Sequence, residues 1–106
     1  MDLVAVCNAL GNKTRYQIVK LLKSRSTITC CNRIKNYENG VCVEDIVKLT
    51  GLAQSTVSRH LTVLEKAGLI YKEKRDFWSC YFLNTKVIKK YFRKLNQDLY
   101  PQKSCK

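Results

Sequence analysis

Two groups of side chains in this sequence have chemistry that packing alone does not require. The first is a set of thiols. Cys30 and Cys31 are adjacent, and Cys42 follows about a dozen positions later. Three thiolates within loop reach of one another form a donor set suited to soft, trigonal ions such as arsenite, antimonite or lead, with cadmium also admitted. Zinc is disfavoured, because a tetrahedral site would need a fourth ligand such as Glu44. A helix start just after Cys42 would favour its thiolate through the backbone dipole, and Arg33 and Lys35 would add to that. Against this, the chain holds six cysteines, and three of them can lie close in sequence without cooperating. Cys7 sits on an apolar stripe and is expected in the core as a small hydrophobe. Cys80 falls in a strand and is expected to be structural. Cys105 lies in the tail and is open to either role, and a site that recruits Cys7 or Cys105, across a dimer if need be, is the competing arrangement.

The second group is Gln54, Ser55, Thr56, Ser58, Arg59 and His60, all of them hydrogen-bonding side chains that need no burial. They are interleaved with Val57, Leu61 and Leu64, spaced i, i+4, i+7, which predicts a helix with one apolar stripe. Such side chains on a helix's open face suit base edges and phosphates. Arg59 is the candidate for a bidentate guanine contact, contributing about 1–3 kcal/mol of base discrimination. His60 belongs with the DNA-facing set, since it has no partner nucleophile to serve as a general base. No nucleophile–base pair, phosphate loop or paired carboxylates stand out, so an enzyme is not expected.

The elements that must hold these residues follow from spacing and punctuation. A first helix over about 2–10, with Leu3, Cys7 and Leu10 on its stripe, should end at Gly11. Asn12 should cap a second helix running to about Lys23, with Ile18, Val19, Leu21 and Leu22 on its apolar face. Residues 24–40 show no helical or strand period and predict an atypical, cysteine-containing loop. Val43, Ile46, Val47 and Leu49 predict a short helix, the turn Thr50-Gly51-Leu52 follows, and the 54–66 segment is the next helix, which makes a helix-turn-helix. Gly68 should stop it. Two strands, Ile70–Lys74 and Trp78–Leu83, turn at Arg75-Asp76-Phe77, so that Lys72, Lys74 and Arg75 sit on a basic wing suited to phosphate. A last helix over about Lys86–Leu99 places Ile88, Phe92, Leu95 and Leu99 on a stripe wider than one small domain needs, which points to a dimer contact. Pro101 limits it, and 101–106 is a tail. The expected fold is mainly α with a small β-hairpin, a single winged helix-turn-helix domain over 1–106 that dimerises through its terminal helices.

Composition supports a polyanion as partner. Twenty Lys and Arg against eight Asp and Glu leave +12 on 106 residues. No long apolar span or basic n-region suggests membrane or export, so a cytoplasmic chain with its cysteines as thiols is expected.

Asn8-Ala-Leu-Gly-Asn-Lys-Thr-Arg15 is similar to the ALGDPTR entry to the second helix of the ArsR/SmtB family of winged-helix, metal-responsive repressors. The segment Gly51 to Ile70, GLAQSTVSRHLTVLEKAGLI, resembles that family's LSQPAVSHHLKVLREAGLV. Together they make the resemblance fairly specific, and the wing and last helix fall where the family has them. The chain departs from the pattern at Ala53 (usually a capping serine) and Ser55 (usually a proline), changes expected to weaken or shift the helix start. Asp76-Phe77-Trp78 replaces a common Gly-Arg pair in the wing. Arsenic-sensing members open the third helix with ELCVCDL. Here Cys42 matches the first cysteine of that motif and Glu44 stands at the second. The resemblance implies a homodimer that docks two recognition helices on a two-fold, double-stranded operator and leaves it when an effector binds. With Cys30, Cys31 and Cys42 as ligands, the implied inducer is arsenite or antimonite. The rivals are a thiol redox or persulfide-responsive repressor on the same fold, and a winged-helix module for protein assembly.

Overall fold

The computed structural model describes residues 2–24, 41–75 and 78–101. Most of the expected 24–40 loop, with Cys30, Cys31, Arg33 and Lys35, lies outside the described residues, as do Asp76, Phe77 and Cys105. The order of elements is α1 (Leu3–Leu10), α2 (Lys13–Lys23), β1 (Val41–Cys42), α3 (Val43–Thr50), α4 (Gln54–Lys66), β2 (Ile70–Arg75), β3 (Trp78–Leu83) and α5 (Thr85–Leu99).

Local chemistry sets the boundaries. The Asp2 carboxylate accepts from the backbone N–H of Val4 (3.1 Å) and Ala5 (3.3 Å), satisfying two donors at the start of α1. Asn12 does the same for α2 by accepting from Arg15 N–H at 3.1 Å, as its sequence position predicts. Gly51 closes α3 in the left-handed region (φ +73°), a conformation costly to any side chain, and its N–H donates to Val47 O at 2.9 Å. Thr50 tightens the same corner by donating to Ile46 O (2.7 Å) while its hydroxyl accepts from Leu52 N–H (3.3 Å). Gly68 (φ +83°) ends the α4 segment in the same manner. Ala53 occupies the N-cap of α4 without a side-chain cap, yet the helix begins at Gln54, because Val57 N–H still donates to Ala53 O at 3.0 Å. The alanine removes a cap without moving the start.

The helices enclose one core of Val6, Ala9, Ile18, Leu22, Ile46, Val57, Leu61 and Leu64, continued onto the sheet by Val41, Leu69, Ile70 and Tyr81. Each fully buried aliphatic side chain contributes about 1.5–3 kcal/mol relative to exposure. The expected stripe of α4 is buried, and of the expected face of α2 Ile18 and Leu22 are buried while Val19 and Leu21 pack half-buried against the core. α1 differs, since Val6 and Ala9 face the core and Cys7 is exposed, correcting its expected core position. Nearly every residue of α1 is apolar, so spacing alone does not choose which stripe turns inward. Leu49 of α3 is likewise 54% exposed.

The sheet is antiparallel with strand order β1-β3-β2. β2 and β3 form the expected hairpin, with Ile70 opposite Leu83 and Lys72 opposite Tyr81. β1 was not expected, being only two residues long, too short for any period to show. It pairs Val41 with Tyr81 and Cys42 with Cys80. The result is a winged helix-turn-helix. Among the described residues no helix is long and apolar enough to cross a membrane.

Candidate DNA-recognition face and thiol pair

α4 turns Val57, Leu61 and Leu64 inward, so the opposite side of the same helix is open. Ser55, Ser58 and Arg59 are exposed there, with Gln54 at the first helical position, and Thr56 is half-buried at the margin. Thr62 and Lys66 extend this face one and two turns further and are also exposed. They were missed in sequence, although their places three and seven positions after Arg59 assign them to its face. Thr62 donates to Ser58 O at 3.0 Å, fixing its hydroxyl against the helix.

His60 occupies a different place from the rest of the expected set. It is half-buried on the flank of α4, with Nδ1 3.3 Å from Nη1 of Arg15 in α2. Arg15 is itself held by Ala9 O (2.8 Å from Nε) and Asn8 O (3.4 Å from Nη2). Burial lowers the imidazole's pKa, and the neighbouring charges of Arg15 and Arg59 lower it further. Neutral His60 therefore accepts from Arg15 and ties α4 to the α1–α2 corner. Because Arg15 lies 45 positions earlier, no local spacing could show this contact.

The wing supplies a second cationic surface. Along β2 alternate residues share a face, and Ile70, Lys72 and Lys74 form one such row. The row begins buried at Ile70 and becomes exposed at Lys72 and Lys74 as the strand leaves the core. Arg75 ends β2. On the other face Tyr71 stacks on Phe82, ring centroids 5.3 Å apart.

Of the three expected metal ligands, only Cys42 is among the described residues. It ends β1 and directly precedes α3, buried. Its neighbour in the sheet is Cys80, also buried, and the two form a small cluster apart from the main core with Phe82 packed against them. Burial pushes the Cys80 thiol up to about 11, with Cys42, Asp45, Glu44 and Glu73 acting in the same direction, so it stays protonated near neutral pH. Among the described residues no three metal-ligating side chains gather in one place. Cys7 meets Tyr91 of α5, Sγ to Oη 3.6 Å, on the exposed side of α1.

Residues 38–72, which include the whole helix-turn-helix, match the family model described as bacterial regulatory protein, arsR family. The chain is 34% identical over 91 residues to the uncharacterized HTH-type transcriptional regulator YbzH of Bacillus subtilis, covering 85% of this chain and 91% of that one. The chain belongs to the ArsR/SmtB family. It is also 37% identical over 76 residues to a protein named putative arsenical resistance operon repressor ArsR2 of Halobacterium salinarum, covering 72% of this chain. The match spans about half (54%) of that relative's length. HlyU from Vibrio cholerae is a structural neighbour at TM-score 0.63 and 26% identity, with 93% of this chain and 91% of that one covered. An ArsR-like transcriptional regulator from Rhodococcus sp. RHA1 shares the fold at TM-score 0.71 and 20% identity, over 90% of this chain and 76% of that one. As an ArsR-family member the protein is a DNA-binding transcriptional regulator and not an enzyme.

Proposed function

We propose that the protein is a homodimeric repressor that holds a two-fold operator and releases it when a trivalent metalloid binds its thiols. The observation that carries the DNA half of this reading is the open face of α4. Ser55, Ser58, Arg59, Thr62 and Lys66 lie together opposite the buried stripe, and the wing lysines Lys72 and Lys74 are exposed as well. Arg59 serves as the base-reading residue, with Gln54, Ser55, Thr56 and Ser58 around it. Lys72, Lys74 and Arg75 address phosphate. His60 orients α4 through Arg15 rather than reading a base.

For the dimer, α1 and α5 leave Val4, Phe92 and Leu99 between two-thirds and three-quarters exposed. A second copy would cover them. For the effector, relatives named as arsenical resistance operon repressors supply the ligand class, and Cys42 supplies a thiol at the entry to the helix-turn-helix. Cys30 and Cys31, which precede it in the chain, are the proposed companions, with arsenite or antimonite as ligand and lead or cadmium as weaker candidates. Release requires that the ligand favour the dimer state with lower DNA affinity.

The test titrates reduced protein, bound to a fluorescent duplex from its own promoter, with arsenite, antimonite, lead, cadmium and zinc. Release at near-stoichiometric arsenite or antimonite is expected. Specific binding indifferent to all five would remove the metalloid half, and binding indifferent to DNA sequence would remove the operator half.

A further inference from the structure

We propose that Cys42 and Cys80 together form a dithiol site that takes a trivalent arsenical as a two-point ligand, joining the start of α3 to the wing strand β3. The pair stands on sheet register. Cys42 and Cys80 are direct antiparallel partners, so their side chains leave the same face of the sheet. Directly opposed residues of this kind lie about 4.5–5.5 Å apart at Cα. That is close enough for one small atom to bridge two sulfurs. Both residues are 1% exposed, and they pack against each other and Phe82 outside the main core. β1 is an edge strand, which places the pair at the sheet's margin.

Two thiols held side by side suit a soft trivalent centre that takes both sulfurs at once. An organoarsenical oxide, R–As=O, reacts with two thiols to give R–As(S–Cys)2 and one water. Two As–S bonds replace the As=O bond, both thiol protons leave in the water, and arsenic stays trivalent. Arsenite reacts in the same way, giving HO–As(S–Cys)2 and two waters. Its remaining hydroxyl is the position a third thiol would displace. The mechanical effect of the bridge is to lock the first helix of the helix-turn-helix to the wing, two elements that must keep a set spacing on DNA.

The proposal rests on the metalloid-responsive reading for its role but makes Cys80, in place of Cys30 and Cys31, the first partner of Cys42, and the experiment separates the two ligand sets and the two readings. The probe is phenylarsine oxide, added to reduced full-length protein and followed by intact mass and by mapping which cysteines resist alkylation. One phenylarsenic per chain is expected, with Cys42 and Cys80 protected and the adduct removed by a dithiol but not by a monothiol. A variant carrying Cys7→Ser, Cys30→Ser, Cys31→Ser and Cys105→Ser should keep this stoichiometric uptake. Adding Cys80→Ala, or Cys80→Val to refill the space, should abolish it. Protection that maps elsewhere in the wild-type chain, or no uptake by the folded four-serine variant, overturns the site. Arsenite-driven release from the operator is measured in parallel. Release without Cys80 protection removes this site and leaves the repressor reading standing. Protection without release keeps the site and removes the metalloid-responsive reading.

Discussion

At the scale of single residues, the proposed recognition face and the residues that support it separate cleanly. Arg59 is exposed at the centre of the open face of α4, so Arg59→Ala should weaken specific operator binding by about 1–3 kcal/mol and relax preference at one base pair. Anisotropy titrations against operator and single-base variants would show it. A uniform loss across sequences would instead assign Arg59 to phosphate. His60 makes a different prediction. Its folded pKa lies below the ordinary imidazole value of 6.5, so the unfolded chain binds the extra proton first. Its contribution is therefore intact above pH 6.5 and is lost as pH falls from there through the lowered folded value. Denaturant midpoints taken across that range should show the loss, and His60→Gln should flatten it. Arg59's place on the open face of α4 was legible because helical spacing is local. The Arg15–His60 contact and the Cys42–Cys80 pair were not, because each joins residues about 40 positions apart that only the tertiary fold brings together.

Among the elements, those with a strict apolar period or clear punctuation could be read in advance. α4 has three buried residues at i, i+4, i+7 against a remainder that is polar apart from Val63, and Asn12, Gly51 and Gly68 mark ends by chemistry specific to their types. α1 has no polar side to contrast with, so its inward stripe is chosen by α2, α4 and α5 packing around it. β1 exists only because β3 offers it an edge. Gly51 tests how firmly the turn is set. An added Cβ there would meet nothing within 4 Å, so any loss in Gly51→Ala comes from the left-handed backbone alone. That substitution should lower unfolding free energy by about 1–2 kcal/mol, measured by urea denaturation. Gly51→Asn should lose less, since asparagine tolerates this conformation better. Equal losses would mean that the backbone angle is not the cause.

For the molecule as a whole, α5 is the element whose burial a single chain leaves incomplete. None of its residues is buried, although Val87, Ile88 and Tyr91 rest on the core. Phe92 is 67% exposed beyond them. Phe92→Glu would place two carboxylates against each other in a two-fold dimer and should yield monomers in light scattering. Operator affinity should fall with it, since one chain addresses one half-site. A dimer that survives this change would place the interface elsewhere. The sheet has a further consequence at this scale. With β1 only two residues long, the other border, β2, is the longer edge strand of the sheet and the one better suited to recruit another chain. Lys72 and Lys74 stand along it as charged guards against stacking into aggregates. Replacing both with threonine, a strong strand former, should lower the concentration at which turbidity appears while leaving the melting temperature nearly unchanged. A positively charged border of this kind lets one pair of side chains attract a polyanion and repel the protein's own copies.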